Sequence, residues 1–407
     1  MRLLITSEAH FPRKPTGDIG VEGPANQSIW VSCLEIFDRV TVLARAGSSD
    51  GPFPVGARAD GPSVSLWPLP DYVGPWEYLR KLKILRTSVQ RAVTHCDAYI
   101  LRVPGLVGRL AWQEIQRLRR PYALEVVGDP WDALGPGTWP SVFRPIFQRT
   151  ATRELELMCR EAAAIHYVTE SALQRRYPAA PGAYTVAFPN AIMDTAFAST
   201  PILDERFGRL SSDKHLRIGF IGSLAQLYKG PDVLLRAGAL CRSRGLNFEI
   251  AMAGEGRYSD ATKNLARRLG IAEQTRFVGQ LPFGEAIFDL LDSVDLFVMP
   301  SRAEGLPRAL VEAMARGCPC IGSDIGGIPE LLAPEDLVPR NDPEALARKI
   351  MEVTADPERM KAMSERNLAR ARQFDPETLR NVRREFYRYV RFHSETSSSI
   401  SQPPNEP

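Results

Sequence analysis

Two glutamates separated by seven residues, Glu304 and Glu312, flank a predicted helix start. Pro307 is favoured in the first turn of a helix, which places Glu304 just before the helix and Glu312 about one and a half turns inside it. Carboxylates accept hydrogen bonds from hydroxyl groups, and the free amides of a helix start bind phosphate. The segment therefore suits a ligand with hydroxyls and phosphates, although each glutamate taken alone is more often a solvated helix charge.

Lys229 ends a second loop that could carry chemistry. The loop begins at Gly222 and Ser223, after an apolar run at residues 217–221, and leads into a predicted helix. A lysine ammonium at this place neutralises the charge that develops on a departing phosphate group. The GxxxxGK[ST] spacing of a P-loop is absent, and a lone lysine before a helix is often only a surface residue.

Glycines follow three more apolar runs. Gly254 and Gly256 follow residues 248–253, Gly279 follows residues 276–278, and the sequence Ser-Asp-Ile-Gly-Gly-Ile-Pro-Glu at 323–330 follows a run that ends at residue 322. In open α/β sheets, ligands collect at the carboxyl ends of the strands. One glycine turn is a weak signal, but similar loops at several strand ends indicate a single ligand site.

The composition is that of an ordinary globular protein with two cores. A chain of 407 residues exceeds one typical domain, and 44% of its residues are hydrophobic and 24% charged. The net charge of +3 is too small to attract nucleic acid, so we expect no nucleic-acid partner. The first eight residues are too polar for a signal peptide, and no apolar run approaches the roughly 20 residues of a membrane span.

The six cysteines are scattered, with no CxxC motif and no paired histidine spacing. Neither a zinc site nor a disulfide framework is predicted, so we expect no metal, a reducing environment and a cytoplasmic location. The close pair Cys318 and Cys320 is interpreted as the start of a buried strand rather than as a redox site.

Short apolar runs alternate with segments of helical period, a pattern typical of parallel sheets wrapped by helices. The predicted helices of the first half are residues 25–37, 76–93, 109–120 and 140–161. The predicted strands are residues 3–6, 40–44, 98–103, 123–127 and 165–168, followed by 217–221, 248–253, 276–278, 296–299 and 320–322. The fold class is therefore α/β, with two doubly wound parallel-sheet units in series.

Breaks in this pattern predict the domain boundaries. Residues 1–197 form the first Rossmann-like domain, 198–214 a linker without clear period, and 215–374 the second Rossmann-like domain. Residues 375–393 form a final amphipathic helix with Pro376 in its first turn. The remaining residues, 394–407, are rich in Ser and Pro and are predicted to be disordered.

The motifs together resemble those of the family-four retaining glycosyltransferases, which have the GT-B fold. The E-x7-E signature is present as Glu304 and Glu312, the Lys-Gly element as Lys229 and Gly230, and the GG-x-PE element at residues 326–330. Residues 188–197, Phe-Pro-Asn-Ala-Ile-Met-Asp-Thr-Ala-Phe, are similar to the segment that the family has at its domain junction. The resemblance extends to about residue 392 and is strongest over residues 216–332.

The resemblance implies two Rossmann-like domains that face each other across a cleft, with the final helix crossing back to the first domain. It implies that Glu304 contacts the sugar of a nucleoside diphosphate sugar, Glu312 its ribose hydroxyls and Lys229 its diphosphate, with Lys229 and Glu304 also catalytic. The remaining residues predicted to bind the sugar donor are Gly222, Ser223, Gly254, Gly256, Gly279, Gly305, Leu306 and Pro307.

Three positions depart from the family pattern. Ser223 stands where an arginine is common, so a second cation on the diphosphate is missing. Either another arginine, such as Arg302 or Arg308, supplies this charge, or donor binding and turnover are weaker than usual. Gly23 with Glu22 replaces a Gly-Gly pair in the amino-terminal loop, and Ala191 replaces a glycine, which is a mild change if the turn does not require positive φ.

The first domain is expected to bind the acceptor. Asp129, after the strand at residues 123–127, is the third predicted catalytic residue and the candidate to orient an acceptor or sugar hydroxyl. Its equally weighted alternative is an Asx turn before Pro130. Gly23 and Arg102 are the other acceptor-side candidates. The histidines offer no clear general base, although His10 follows the first strand.

The resemblance implies transfer of a hexosyl or related sugar to a hydroxyl of a glycan, polysaccharide or lipid-linked saccharide, with retention and no cofactor. The leaving diphosphate then helps to deprotonate the acceptor, so the protein needs no strong base. One alternative is a sugar-nucleotide-binding subunit with impaired catalysis, for which the absence of an arginine at 223 is the only hint. A less favoured alternative is a GT-B sugar-nucleotide epimerase, which needs acid and base groups that the sequence hardly supports.

Residues 76–91 form a basic amphipathic segment that begins with Trp76 and Tyr78. Related enzymes that act on lipid-linked acceptors often dock on membranes through such a helix. Peripheral attachment to the inner face of the membrane is therefore a hypothesis, and a solvated helix face is its slightly favoured alternative.

Overall fold

The chain folds into two compact units. The computed structural model describes residues 1–13, 20, 27–48, 61–136, 138, 142–189, 197–212 and 215–400. The first unit comprises Met1–Val127, Ala151–Ile192 and Glu377–Pro407, and the second comprises Gly128–Thr150 and Met193–Pro376.

The first unit is built on a seven-stranded parallel sheet with the order β3-β2-β1-β4-β5-β6-β7. Its strands are β1 (Arg2–Arg13), β2 (Arg39–Ser48), β3 (Val64–Pro70), β4 (Ala98–Val103), β5 (Ala123–Val126), β6 (Ala164–Tyr167) and β7 (Tyr184–Ala187). The central strands are buried on both faces, as the fully buried Leu3, Leu4 and Ile100 illustrate. This burial explains why they have continuous apolar sequences rather than alternating ones.

The second unit is built on a six-stranded parallel sheet with the order β10-β9-β8-β11-β12-β13. Its strands are β8 (Leu216–Ile221), β9 (Phe248–Ala253), β10 (Thr275–Gly279), β11 (Leu296–Met299), β12 (Cys320–Ser323) and β13 (Leu337–Val338). Apolar side chains such as Ile218, Ile250 and Val298 form one core with Leu234 and Ile350 of the covering helices. In both sheets the strand order reverses beside the first strand, which is where ligands bind in doubly wound folds.

Helices cover both sheets. They are α1 (Gln27–Leu34), α2 (Gly74–His95), α3 (Leu106–Arg117), α4 (Pro130–Ala133), α5 (Arg144–Glu161), α6 (Ala172–Arg176), α7 (Thr200–Ser212), α8 (Pro231–Ser243), α9 (Ser259–Arg268), α10 (Glu285–Ser293), α11 (Arg308–Ala315), α12 (Pro343–Thr354), α13 (Pro357–Ala371) and α14 (Pro376–Ile400). Short 3₁₀ helices lie at Leu227–Lys229, Ile328–Glu330, Pro334–Asp336 and Arg372–Phe374.

The predicted α/β class with two doubly wound parallel sheets is confirmed, and every predicted strand overlaps an observed one. Three strands were missed, namely β3, β7 and β13. Each is the last strand on its side of a sheet, where pairing on one side only weakens the apolar signal. β3 also contains Pro68 and Pro70, which edge strands tolerate because one row of amides needs no partner.

Residues 198–214, predicted as a linker without clear period, contain α7 and belong to the second unit. Arg206 of this helix is fully buried and donates to the carbonyl oxygens of Leu291, Val294, Arg316 and Gly317 at 2.7–2.9 Å. These bonds satisfy a buried charge through residues more than 80 positions away, which no local pattern reveals.

The final helix is longer than predicted. α14 runs to Ile400, so the prediction of disorder is wrong for residues 394–400, and residues 401–407 lie outside the described part of the chain. Phe386, Tyr387 and Val390 are buried within the first unit. Their spacing of one, three and four positions gives the helix an apolar face that packs within the first unit.

Candidate functional site

Lys229 and Glu304 form an ion pair in the second unit. Lys229 closes the 3₁₀ helix that follows β8, and Glu304 lies between β11 and α11. The Lys229 Nζ atom donates to Glu304 Oε1 at 2.7 Å and to Oε2 at 3.0 Å, and Ser301 Oγ donates to Oε1 at 2.7 Å. The lysine side chain is 14% exposed and that of Glu304 is 6% exposed. The pair is thus shielded from water, which strengthens its electrostatic interaction.

The electrostatics keep Lys229 protonated. Burial alone lowers the pKa of an ammonium, but the nearby Glu304 carboxylate outweighs it and raises the pKa of Lys229 above its ordinary value. A permanently charged ammonium therefore lies at the carboxyl edge of the sheet, where the sequence predicted a phosphate-binding cation.

Glycines let the loops around this ion pair approach each other closely. Gly230 has a φ of +70°, and a Cβ atom there would lie 2.0 Å from the carbonyl oxygen of Pro300. Gly254 has a φ of +133°, and its Cβ atom would lie 1.9 Å from the carbonyl oxygen of Gly222. The loops after β8, β9 and β11 are therefore in direct backbone contact, which only glycine permits at these points.

Further backbone bonds connect the predicted donor-binding glycines. Gly222 N donates to Ala253 O at 3.0 Å, and Gly254 N donates to Gly279 O at 2.8 Å. Gly256 N donates to Ser259 Oγ at 3.0 Å, at the start of α9. The structure thus brings together the loops that the sequence assigned to one site. Ser223 Oγ accepts a bond from Ala225 N at 3.2 Å and stabilises the turn without supplying a charge.

Glu312 pairs with an arginine on its own helix. α11 begins at Arg308, directly after Gly305, Leu306 and Pro307, and Arg308 Nε donates to Glu312 Oε1 at 2.7 Å. The Glu312 side chain is 8% exposed. Burial raises the pKa of Glu312, and the neighbouring guanidinium of Arg308 opposes that rise without cancelling it. The carboxylate that was predicted to bind ribose is therefore poorly hydrated, a state in which ligand hydroxyls can replace water.

The loop before α11 is supported by the loop after β12. Gly327 N donates to Gly305 O at 2.8 Å, and a Cβ atom at Gly326 would lie 2.2 Å from the carbonyl oxygen of Glu304. The GG-x-PE element therefore positions the backbone of the Glu304 loop. Its role is structural support of the site from a neighbouring strand end.

The hydrogen bonds of Arg302 hold the turn that carries Lys229 in place. Its guanidinium donates to both carboxylate oxygens of Asp232 at 2.7 Å and to Leu227 O at 2.6 Å, and its side chain is 7% exposed. Its backbone amide donates to Tyr228 O at 2.6 Å. The sequence indicates Arg302 only as a substitute cation, and its bonds to the Lys229 turn could not be predicted because Asp232 lies 70 positions away in the chain.

Asp129 forms the local turn that was weighed as its alternative role. It is the N-cap of α4, and its carboxylate accepts from Trp131 N at 2.8 Å. It lies in the segment Gly128–Thr150, which belongs to the second unit rather than to the sheet of the first. A contact of Asp129 with an acceptor stays a prediction.

Arg102, Glu125 and His166 are neighbouring polar residues on adjacent strands of the first sheet. Its guanidinium donates to Glu125 Oε2 at 2.9 and 3.0 Å, and His166 is the cross-strand neighbour of Glu125 on β6. Burial disfavours ionisation of Glu125, but Arg102 outweighs it and lowers the carboxyl pKa. Burial also lowers the pKa of His166 to about 4, so the imidazole is neutral at pH 7. The acceptor role of Arg102 stays a prediction, and Gly23 lies outside the described residues.

A polar cluster that the sequence analysis missed lies near the carboxyl ends of β1, β2 and β3 in the first unit. His10 Nδ1 lies 2.9 Å from Asp71 Oδ1, and Arg45 donates to the carbonyl oxygen of Glu8 at 2.8 Å. Glu8 Oε1 accepts from Val107 N at 2.7 Å, at the start of α3. In the sequence, only His10 was noticed, as a residue after the first predicted strand. Glu8 and Arg45 lie in parts of β1 and β2 beyond the predicted strand ends, and Asp71 follows β3, which was not predicted.

No group of three or more His, Cys, Asp or Glu side chains among the described residues is placed to hold a metal ion. The expectation that neither metal nor cofactor takes part remains a prediction. All six cysteines are buried and none forms a disulfide bond, and Cys320 begins β12 as the sequence indicated.

Comparison with known proteins identifies part of the chain and its fold. Residues 202–370 match the family described as Glycosyl transferases group 1. Protein CapJ of Staphylococcus aureus is 25% identical over 346 residues, which cover 83% of this chain and 84% of CapJ. The chain spans 30 to 56% of the length of seven further curated relatives that it matches.

Solved structures resemble the chain over nearly its whole length. Sucrose-phosphate synthase from Thermosynechococcus elongatus has a TM-score of 0.68 at 18% identity, covering 96% of this chain and 99% of that structure. Anabaena HepE in complex with UDP-glucose has a TM-score of 0.63 at 19% identity, covering 98% and 100%. These similarities confirm the predicted fold class.

Proposed function

We propose that this GT-B protein, whose residues 202–370 belong to the group 1 glycosyl transferases, moves a sugar from a nucleoside diphosphate sugar to a hydroxyl group. The acceptor is a glycan, a polysaccharide or a lipid-linked saccharide, and the configuration at the anomeric carbon is retained. The single observation that supports this most is the shielded Lys229–Glu304 ion pair beside the start of α11. The pair offers a cation for phosphate and a carboxylate for sugar hydroxyls, and Glu312 on α11 offers a second carboxylate for the ribose hydroxyls.

In the proposed reaction, the bond between the anomeric carbon and the diphosphate oxygen breaks while the acceptor oxygen bonds to the same carbon on the same face. The acceptor proton passes to an oxygen of the leaving diphosphate. Lys229 stabilises the negative charge that grows on that diphosphate, and Glu304 accepts hydrogen bonds from the sugar hydroxyls. The protein therefore contributes position and charge, and it needs no strong base of its own.

The acceptor is assigned to the first unit. Its support is the polar cluster of Glu8, His10, Arg45 and Asp71, which supplies hydrogen-bonding groups for a polyhydroxylated molecule. Arg102 and Asp129 remain acceptor-side candidates.

Binding and release of sugar test the proposed function. Melting curves are measured with a panel of nucleoside diphosphate sugars that starts with UDP-glucose, the ligand of HepE. A ligand of the native state raises the melting temperature, and about 2.7 kcal/mol of stabilisation is expected at a concentration 100 times the Kd. The donor that stabilises most is then incubated without acceptor, and the release of free sugar is measured.

The two outcomes separate a transferase from the main alternative. A transferase is expected to leak free sugar slowly to water. A catalytically impaired sugar-nucleotide-binding subunit, which the lack of a charge at Ser223 favours, shows stabilisation without any release. If no nucleoside diphosphate sugar stabilises the chain, the proposed function is wrong.

We further propose that α2 docks on the inner face of a membrane. Its amino-terminal half exposes Trp76, Leu79 and Ile84, at 79%, 56% and 61%, next to the exposed cations Arg80 and Lys83. Apolar side chains flanked by basic ones favour an anionic lipid surface. Within the described residues, no helix is long and apolar enough to cross a membrane.

Flotation with anionic vesicles tests this docking. Lys81 is left unchanged because it bonds to Asp71 O, so the variant is Arg80→Gln, Lys83→Gln and Arg86→Gln. Each basic residue near such a surface contributes about 1 kcal/mol, so the three changes are expected to weaken binding about 100-fold. The matched control removes three exposed cations from the second unit, as Lys263→Gln, Arg267→Gln and Arg268→Gln. Docking through α2 is contradicted if the two triple variants float equally well.

A further inference from the structure

Three of the cations near the proposed donor site are each paired with a carboxylate. Lys229 pairs with Glu304, Arg302 with Asp232, and Arg308 with Glu312. A diphosphate brings additional negative charge into this balanced set. A cation besides Lys229 that changes its contacts when the sugar donor binds would offset this added charge, because a shielded charge is stable only beside an opposite one.

Arg302 and Arg340 are poorly suited to such a change. Arg302 makes two bonds to Asp232 and one to Leu227 O, and releasing it would free the turn that carries Lys229. Arg340 donates to Asp132 at 3.0 Å and to the carbonyl oxygen of Arg302 at 3.2 Å. Both arginines thus hold backbone and side chains of the second unit in place.

Arg308 is held differently. Its only hydrogen bond to the described residues is from Nε to Glu312, so its two terminal nitrogens, Nη1 and Nη2, make none. The guanidinium lies 4.6 Å from the centre of the Phe283 ring, and the side chain is 26% exposed. A guanidinium that rests on an aromatic ring keeps its plane while its nitrogens remain available to an incoming anion.

The position of Arg308 fits a phosphate ligand. It is the first residue of α11, and the N-cap Pro307 offers no side chain to the free amides of the first turn. Glu304, the partner of Lys229, is only four residues earlier in the chain, a span of at most about 14 Å. Lys229 therefore contacts the beginning of one short loop and Arg308 follows its end, and the backbone amides at the start of α11 also favour an anion.

On the basis of the proposed function, we propose that Arg308 is the second cation for the donor diphosphate. When the sugar donor binds, the ribose hydroxyls donate hydrogen bonds to the Glu312 carboxylate. The Arg308 guanidinium then turns from Glu312 to the phosphates and stays in contact with the Phe283 ring. The exchange involves hydrogen bonds only. It supplies the charge that Ser223 lacks, and it couples recognition of ribose to recognition of the diphosphate.

Calorimetry with a nucleoside and its mono- and diphosphate separates these contacts. The nucleoside is the one whose diphosphate sugar stabilises the chain best, and the variants are Arg308→Gln and Arg308→Lys. For Arg308→Gln we expect about tenfold or greater loss of affinity for the diphosphate and at most a twofold change for the nucleoside. Arg308→Lys is expected to restore part of the loss, because a lysine keeps the charge but not the planar fork. Arg236→Gln, an exposed position on α8, is the control for loss of one positive charge.

Each other outcome contradicts the inference in a recognisable way. Equal loss for nucleoside and diphosphate means that Arg308 serves only to orient Glu312. Unchanged diphosphate affinity in Arg308→Gln places the second cation elsewhere. If the unaltered chain binds no nucleoside diphosphate, the proposed function itself fails, and this inference fails with it.

Discussion

Replacing Glu312 by alanine is expected to abolish measurable binding of the nucleoside diphosphate sugar while leaving the fold intact. The carboxylate is buried within α11, and hydrogen bonds from ribose hydroxyls to a charged group contribute about 1.5–3 kcal/mol each. Loss of two such bonds lowers affinity by about two to four orders of magnitude. Isothermal titration calorimetry with the preferred nucleoside diphosphate measures the change directly.

We expect the fold to tolerate Glu312→Ala. Burial raises the pKa of Glu312, which means that its surroundings penalise the ionised form, so little folding stability depends on the charge. Arg308 is partly exposed and regains water when its partner is removed. Glu358→Ala, at an exposed position on α13, is the control for loss of one glutamate carboxylate from a helix of the second unit. Unchanged affinity in Glu312→Ala would remove the ribose role.

Replacing Lys229 by methionine is expected to lower kcat by about 100- to 1000-fold, more than it lowers affinity for the sugar donor. Its charge is needed most when the diphosphate departs, and removing one preorganised charge-stabilising group typically has an effect of this size. Steady-state kinetics that separate kcat from KM measure this difference. Lys229→Arg, which keeps a positive charge, should retain more activity than Lys229→Met.

Folding stability needs a separate control, because Lys229→Met leaves Glu304 buried without its cation. Breaking a fully buried pair costs about 3–5 kcal/mol, and a smaller loss is expected here since Lys229 is partly exposed. The double variant Lys229→Met and Glu304→Gln removes both charges and should recover most of the stability without recovering turnover. A normal kcat in Lys229→Met would show that the lysine only pairs with Glu304 and has no part in the reaction.

Much of the fold follows from local sequence patterns. Strands such as β4 and β11 have continuous apolar sequences because both faces of a parallel sheet are covered, and the alternation with helices then indicates a doubly wound fold. The edge strands and α7 could not be predicted in this way. β13 has only two residues, and α7 is held by the bonds of Arg206 to distant carbonyls.

In the candidate site, too, the features that depend on neighbouring positions in the chain could be predicted from the sequence. Residue spacing determined that Glu304 precedes α11 and that Glu312 lies within it, because a helix start fixes which positions follow at its turns. The pair of Arg308 and Glu312 has the i, i+4 spacing of neighbours on one helix face, so it too was present in the sequence.

Only the tertiary structure determined which carboxylates pair with Lys229 and Arg302. Lys229 meets Glu304 across 75 positions of the chain, and Arg302 meets Asp232 across 70, because the carboxyl ends of separate parallel strands lie at one edge of the sheet. The sequence thus determined the types of charged group at each strand end. Their pairing depends on distances between loops that are remote in the chain, and these distances exist only once the sheet of the second unit has formed.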